Sequence, residues 1–273
     1  MIDANNYISG LLLQNLGIDV IKFDANFLTR TLQKRMTLNS CNNFEEYFSI
    51  LKKDIKEAYV LKDSLQNGYS EFFRNSLTYA VLEHIVLPSI IMQMKKNNRK
   101  EIRIWSAACA SGQEAYSLAI LMEEIKEVVG GKIKYRIFAT DQDKSKIDDA
   151  IKGQYSYSAV SNISGKVLEK WLLRNGDSFF VKPELKEHID FSIFDLFSEN
   201  FSCPPASIFG DFDIVLCANL LFYYKDEYRK LIIKKTTGSL SEKGYLVVGE
   251  TERDILRKLG YKEPFPQSAI FKQ

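Results

Sequence analysis

The 273-residue sequence has few of the residues that bind metals or form disulfides. It contains only two histidines, and its cysteines, Cys41, Cys109, Cys203 and Cys217, are far apart and form no CxxC pair. We therefore expect no metal site and no disulfide framework. Free thiols are typical of a protein in the reducing cytoplasm. No apolar run approaches the roughly 20 residues that span a bilayer, and the first ten residues do not resemble a signal peptide, so we expect no membrane insertion.

The sequence also lacks a strong charge of either sign. Its formal net charge is +2, which by itself does not indicate a nucleic-acid partner. Hydrophobic residues make up 45% and charged residues 26%, as in ordinary globular proteins. One basic cluster stands out, and it is either a solvated connector or a docking surface for an acidic partner. Its members are Lys95, Lys96, Arg99, Lys100 and Arg103.

Two patterns divide the sequence. From residue 5 to 95, apolar residues recur at spacings of three and four, which predicts helices. Beyond residue 101, short β-like runs alternate with amphipathic segments, which predicts an α/β fold with a mostly parallel, doubly wound sheet. We therefore expect a helical domain over 1–95 and an α/β domain over 96–273, with a small inserted subdomain at about 153–190. The predicted strands cover 102–107, 135–141, 191–195, 212–219, 245–250 and 268–273.

Ligands in such sheets bind beyond the carboxyl ends of the strands. The loop Trp105–Glu114 (WSAACASGQE) follows the first strand and opens a helix. Its small residues let the backbone approach a ligand, although on spacing alone it could be a tight turn. Its single glycine fits neither GxGxxG nor GxxxxGK. Asp141, at the end of the second strand, could accept the hydroxyls of a ribose or could cap the next helix, a role that Asp143 could fill equally well.

Four segments, in order, resemble the chemotaxis receptor methyltransferase (CheR) family. SEFFR (70–74) matches its T/S-x-F-F-R pattern, and IRIWSAACASGQEAYSLA (102–119) matches its W-S-A-A-x-S-x-G-E-E-x-Y-S loop and helix. IFATDQDKSKIDDAIKGQY (137–155) matches its A-T-D-I-D segment. FDIVLCANLLFYY (212–224), with GYLVVGETE (244–252), completes the set. The likeness covers nearly the whole chain. It implies a Rossmann-like class I methyltransferase sheet with a small inserted β subdomain, preceded by an all-α N-terminal domain.

The resemblance implies S-adenosylmethionine as cofactor and S-adenosylhomocysteine as product. Asp141 would hold the ribose, and Glu114 would pair with the methionine ammonium. Arg74 would hold the cofactor's carboxylate, and with Tyr223, near the methyl group, it is the expected catalytic pair. Asp195 and Leu196 would lie at the adenine end. The full cofactor-binding set implied is Ser70, Arg74, Ala107, Ala108, Gly112, Glu114, Asp141, Asp195, Leu196, Asn219 and Leu220.

The implied reaction is methyl transfer to a protein carboxylate, most simply a glutamate of a chemoreceptor cytoplasmic domain. A free glutamate has a pKa of about 4.3 and is ionised at neutral pH, so the acceptor needs no general base. We expect a cytoplasmic monomer with a protein substrate and no nucleic-acid partner. Lys34 and Arg35 lie on the helical side, which in the family meets the receptor, or they form part of a solvated helix face.

Three positions depart from the family pattern. Ala218 replaces an arginine directly before Asn219, Glu250 replaces a histidine, and Gln113 replaces the first acid of G-E-E. An arginine could orient an anionic acceptor, whereas alanine cannot. These changes keep open a second function class, a cofactor-binding module that has lost catalysis and serves as a sensor or scaffold. Methylation of a small molecule or nucleic acid fits less well, because the likeness also covers the helical N-terminal part.

Overall fold

The computed structural model describes residues 4–66, 68–130 and 133–272. The chain forms two compact units. The N-terminal unit consists of Met1–Gly68 together with Phe222–Lys230, and the α/β unit consists of Tyr69–Leu221 together with Leu231–Gln273.

The N-terminal unit is helical, with α1 over Ala4–Leu16, α2 over Ala25–Leu38, α3 over Phe44–Lys53 and α4 over Ile55–Gln66. Polar caps start two of these helices, because the side chain of Asp24 accepts backbone N–H groups of α2 and that of Asn43 accepts one of α3. The apolar faces meet in one core. Its fully buried members include Leu12, Leu28, Tyr47, Leu51 and Leu61.

One charged cluster lies inside this unit. Glu57 of α4 is buried and accepts a hydrogen bond from Arg35 Nε of α2 at 2.9 Å. The hydroxyl of Tyr47 in α3 donates to the same carboxylate at 2.7 Å. Burial opposes ionisation of Glu57, but these two donors hold its pKa below the usual value. Glu57 therefore ties three helices together, and the Arg35 guanidinium has an internal partner and is not part of a solvated helix face.

The α/β unit begins earlier than the boundary predicted near residue 95. Helix α5 (Ser76–Val81), a π-helical turn (Leu82–Val86) and helix α6 (Leu87–Lys96) form one continuous stretch within it. Their apolar side chains, such as Ile90 and Met94, share a core with Ile104 of the first strand. The periodicity predicts helices here but does not show which core they pack against. Because that core is the one of the α/β unit, the helices belong to this unit.

The stretch Ser76–Lys96 is also long and apolar enough to cross a membrane, judged by length and composition alone. Within the described residues it is the one helix of that kind, and 44% of its apolar window is buried inside the structure. Core helices of soluble proteins have the same length and composition.

The α/β unit contains a six-stranded and a three-stranded sheet. In the six-stranded sheet the order is β6-β2-β1-β7-β8-β9, with only the last pair antiparallel. The second sheet is antiparallel with the order β3-β5-β4, as predicted for the inserted subdomain. The strands are β1 Ile102–Ser106, β2 Tyr135–Asp141, β3 Gln154–Ser156, β4 Leu172–Asn175, β5 Ser178–Val181, β6 Ile189–Ile193, β7 Phe212–Cys217, β8 Leu240–Val248 and β9 Ile270–Lys272.

Helices alternate with the strands of the large sheet. The first, α7, begins after Gly112, whose φ of +91° favours glycine, and ends at Gly130, with φ +63°. Asp143 caps α8 by accepting the backbone N–H of Ser145. The helices are α7 Gln113–Val129, α8 Lys144–Lys152, α9 Gly165–Trp171, α10 Pro183–Lys186, α11 Asp226–Gly238 and α12 Arg253–Lys258.

The strand order has a reversal point between β1 and β7. From β1 the chain runs outward through β2 to β6, and it then returns to place β7 on the other side of β1. Open α/β sheets bind ligands at such a switch point, beyond the carboxyl ends of the strands. The predicted doubly wound, Rossmann-like fold class is confirmed, and its topology fixes where a ligand site belongs.

Candidate functional site

A cleft lies at this switch point, where open α/β sheets bind their ligands. All of its lining residues belong to the α/β unit. Leu216 and Val248 line it from β7 and β8, and the segment 69–79 contributes a further part of the wall. Of the residues singled out by sequence, the cleft brings together Ser70, Arg74, Ala108, Glu114 and Asn219.

Glu114 supplies an acidic group to the cleft from the first turn of α7. The hydroxyl of Ser106, the last residue of β1, donates to Glu114 Oε1 at 2.5 Å. Burial raises the pKa of Glu114 to about 7, against the opposing effects of the Ser106 bond and the charge of Arg74. The negative charge of Glu252 adds to the rise. A cation bound beside this carboxyl would restore its ionised form.

Arg74 supplies the basic group. Its guanidinium lies over the ring of Tyr69, with 5.4 Å between guanidinium carbon and ring centroid, and Nη1 donates to the Tyr69 carbonyl at 3.4 Å. The hydroxyl of Tyr69 donates in turn to the Glu71 carboxylate. Glu71 also lines the cleft and accepts this Tyr69 bond, while Glu114 and Arg74 together complement a ligand that carries both an ammonium and a carboxylate.

The two phenylalanines before Arg74 anchor this segment. Phe72 is fully buried and packs edge-on against Tyr155 of β3, with ring centroids 4.9 Å apart. The backbone N–H of Phe73 donates to Ser117 Oγ of α7 at 2.9 Å. The F-F-R order therefore has a physical reason, because the aromatic residues fix the backbone that delivers Arg74 to the cleft.

Asn75 is a cleft residue that the sequence did not single out. Its backbone is left-handed, with φ +68°, and its Oδ1 accepts the Thr78 N–H at 3.3 Å to start α5. That bond leaves the amide nitrogen Nδ2 buried, without a hydrogen-bond partner among the described residues. A buried donor is stabilised when a ligand oxygen reaches it, so the cleft suits an oxygen-bearing ligand. The sequence signal that could have found Asn75 is an asparagine directly after an arginine and directly before a helix, where it can cap that helix.

The loop after β1 is tied to its surroundings at both ends. The Ala107 N–H donates to the Leu216 carbonyl of β7 at 2.8 Å. Asp141, at the end of β2, accepts the Ala110 N–H at 2.9 Å, and its burial raises its pKa. A Cβ on Gly112 would lie 2.9 Å from Ala150 Cβ, so the helix start requires glycine. Asp143 is the cap of α8, so that role is not filled by Asp141.

The remaining expected residues lie outside the cleft lining. Asp195 is exposed just beyond β6, where the Phe194 N–H joins the Asp141 carbonyl at 2.9 Å. Leu196 is buried and Leu220 is half-buried. Tyr223 belongs to the N-terminal unit, where its ring packs against Phe27 with centroids 4.7 Å apart.

The three positions that depart from the family pattern lie in different parts of the structure. Ala218 lines the cleft, so the loss of an arginine there changes the chemistry of the wall. Glu250 is exposed and does not line the cleft, so its charge is not directed into the site. Gln113 is buried at the start of α7, and its Oε1 has no partner among the described residues.

The family model described as "CheR methyltransferase, SAM binding domain" matches residues 68–263. The chemotaxis protein methyltransferase of Borreliella burgdorferi is 28% identical, over 89% of this chain and 85% of that protein. That of Listeria innocua is 29% identical, over 93% and 91%. Chemotaxis protein methyltransferase 1 of Pseudomonas aeruginosa is 30% identical, over 81% and 78%. Magnesium protoporphyrin IX methyltransferase from Synechocystis, solved with bound S-adenosylhomocysteine, has a TM-score of 0.31 at 15% identity, over 72% of this chain and 69% of that one.

A doubly wound sheet with acidic and basic side chains in a cleft at its switch point, together with the match to the family model and to the chemotaxis protein methyltransferases, defines a class I methyltransferase. The chain belongs to the CheR methyltransferase family, and its cofactor is S-adenosylmethionine.

Proposed function

We propose that the protein transfers a methyl group to glutamate side chains of a chemoreceptor cytoplasmic domain. The observation that carries this proposal is the extent of the match to chemotaxis protein methyltransferases, which reaches 93% of this chain and 91% of the relative. The match therefore includes most of the N-terminal unit as well as the cofactor-binding part. Because the match to these relatives also covers the helical N-terminal unit, it supports a shared class of protein substrate.

We assign the cofactor to the cleft. Glu114 would pair with its ammonium, Arg74 would hold its carboxylate, and Asn75 Nδ2 would give that carboxylate a second donor. Asp141 would hold the ribose, and Asp195 with Leu196 would lie at the adenine end. The other assigned positions, carried by the resemblance, are Ser70, Ala107, Ala108, Gly112, Asn219 and Leu220, with Tyr223 near the transferred methyl group.

The bound cofactor supplies a sulfonium-activated methyl group, so the main task of the protein is to position the acceptor. A glutamate with an ordinary pKa of about 4.3 arrives ionised, and no side chain has to remove a proton. Arg74 could also attract the carboxylate of the acceptor glutamate toward the cleft. This matters because Ala218 carries no charge that could attract it. Exclusion of water around the acceptor would raise its reactivity further.

The test is transfer of tritiated methyl from S-adenosylmethionine to a purified chemoreceptor cytoplasmic domain. We expect incorporation that mild alkali releases, because carboxyl methyl esters hydrolyse readily. A receptor fragment with its candidate glutamates changed to alanine is the control and should incorporate none. Label that survives alkali, or equal labelling of both fragments, would contradict the proposal.

Ala218 supports a second candidate function, that of a cofactor-binding module without catalysis. Its methyl side chain lines the cleft where the family pattern has arginine. Such a module would bind S-adenosylhomocysteine and transfer no methyl group to any receptor fragment. An Ala218→Arg variant separates the two functions, since recovery of transfer by this variant alone would identify the native chain as the non-catalytic module.

A further inference from the structure

Glu252 is a fully buried carboxylate beside the cleft that no part of the proposed function uses. Its Oε2 accepts the backbone N–H of Asn219 at 2.8 Å and that of Gly249 at 2.7 Å. Its Oε1 accepts the N–H of Leu221 at 2.6 Å. One side chain therefore binds three backbone donors from two separate segments.

These donors lie where two strands end. The parallel ladder between β7 and β8 has its last pair at Cys217 and Val248, and the two chains diverge beyond it. Buried N–H groups that leave a ladder need other acceptors, and Glu252 provides them on both sides. Asn219 has a left-handed backbone with φ +60°, a conformation that persists only when its surroundings hold it.

The atoms around this carboxylate are so closely packed that a larger residue at Gly249 would not fit. A Cβ on Gly249 would lie 2.5 Å from Asn219 Nδ2 and 2.9 Å from Glu252 Oε2. Gly249, Asn219 and Ala218 all line the cleft, whereas Glu252 does not. Glu252 thus fixes the shape of one cleft wall from behind, without reaching the ligand space itself.

We propose that Glu252 is a positioning residue, which holds the wall formed by Ala218, Asn219 and Gly249 in the shape that binds the cofactor. The proposal rests on the assignment of the cofactor to this cleft. It does not depend on which protein is methylated, because S-adenosylhomocysteine binds without an acceptor.

The test is isothermal titration of Glu252→Gln with S-adenosylhomocysteine. A carboxamide has one acceptor oxygen and one donor nitrogen, so at least one of the three N–H groups would face another donor. Because this mismatch would displace the wall formed by Asn219 and Gly249, we expect the affinity to fall by about tenfold or more. We also expect the KM for S-adenosylmethionine to rise by a similar factor while kcat changes less.

Two matched variants separate positioning from stability. Glu250→Gln changes the exposed acid two residues earlier and should leave the affinity unchanged. Asp213→Asn changes another buried carboxylate, which accepts the Arg103 N–H at 2.9 Å near the opposite end of β7. This second variant should lower the Tm without weakening S-adenosylhomocysteine binding by the folded protein.

Wild-type affinity in folded Glu252→Gln, or an equal loss in Asp213→Asn, would overturn the proposal. If Glu252→Gln does not fold, Glu252→Asp replaces it under the same criterion, because it keeps the charge but is one methylene too short to reach all three donors. A wild-type protein that fails to bind S-adenosylhomocysteine would overturn both this inference and the assignment of the cofactor to the cleft.

Discussion

At the scale of single residues, the informative groups are the carboxylates, and their environments differ. Glu114 faces the cleft, Asp141 holds the loop after β1, and Glu252 supports the wall from behind. The sequence could mark Asp141, because it ends a strand at the edge where ligands bind, and Glu114, because the resemblance to the family implies its role. Glu252 ends a segment that resembles the family, but no sequence pattern indicated its role, because carboxylates are ordinarily exposed and only the tertiary fold surrounds this one with three backbone donors.

The raised pKa of Glu114 predicts a pH dependence of cofactor affinity. In the unliganded protein this carboxyl has a pKa of about 7, so below pH 7 it is mostly neutral and pairs poorly with an ammonium. Binding then requires loss of that proton. We expect the affinity for S-adenosylhomocysteine to fall as pH is lowered from 7 to 5.5, approaching about tenfold per pH unit.

Titration calorimetry across that range measures this dependence, and Glu114→Gln is the control. The variant cannot ionise, so its affinity should be low and nearly independent of pH. Over this range the ligand's own ammonium stays charged, because its pKa lies above that of a peptide amino terminus. A wild-type profile as flat as that of the variant would show that the Glu114 carboxyl does not hold the ammonium.

At the scale of secondary-structure elements, the three-stranded sheet supports the loop after β1. The hydroxyl of Tyr155 in β3 donates to the Ser111 carbonyl at 2.6 Å, immediately before the start of α7. The Tyr116 hydroxyl donates to the Ala150 carbonyl at 2.7 Å and ties α7 to α8. The inserted subdomain is therefore part of the support for the site.

Tyr155→Phe tests this support. The change removes one hydrogen bond, worth about 0.5–1.5 kcal/mol, and keeps the ring that packs against Phe72. We expect S-adenosylhomocysteine affinity to fall by about threefold to tenfold. Tyr157→Phe, at a largely exposed position in the same subdomain, should not change it. Equal affinity in both variants would mean that the loop holds its shape without the subdomain.

The sequence predicted some elements better than others, for physical reasons. Strand β2 (Tyr135–Asp141) occupies the predicted range, because a nearly continuous run of buried residues marks it. Strand β6 (Ile189–Ile193) begins two residues before the predicted strand, since edge strands have exposed positions that blur the pattern. Strand β8 begins at Leu240, opposite Phe212, beyond a register shift that no sequence pattern shows.

At the scale of the whole molecule, tertiary contacts decide what local patterns leave open. Two members of the basic cluster are internal to the α/β unit. Arg99 pairs with Asp213, and Arg103 donates to the carbonyls of Ser207 and Gly210 while its guanidinium lies against aromatic rings. Lys95, Lys96 and Lys100 stay exposed. The cluster is therefore divided between a structural role and an exposed surface, which is either solvated or a docking surface for an acidic partner.

The assignment of the cofactor to this cleft is tested most directly by titrating S-adenosylhomocysteine into wild type, Asp141→Ala and Asp143→Ala. We expect the wild type to bind and Asp141→Ala to lose about tenfold or more in affinity, because the carboxylate that would hold the ribose and does hold the Ala110 N–H is gone. Asp143→Ala, which removes only the α8 cap, should bind like the wild type. A wild type that does not bind, or an Asp141→Ala protein that binds equally well, would contradict the account.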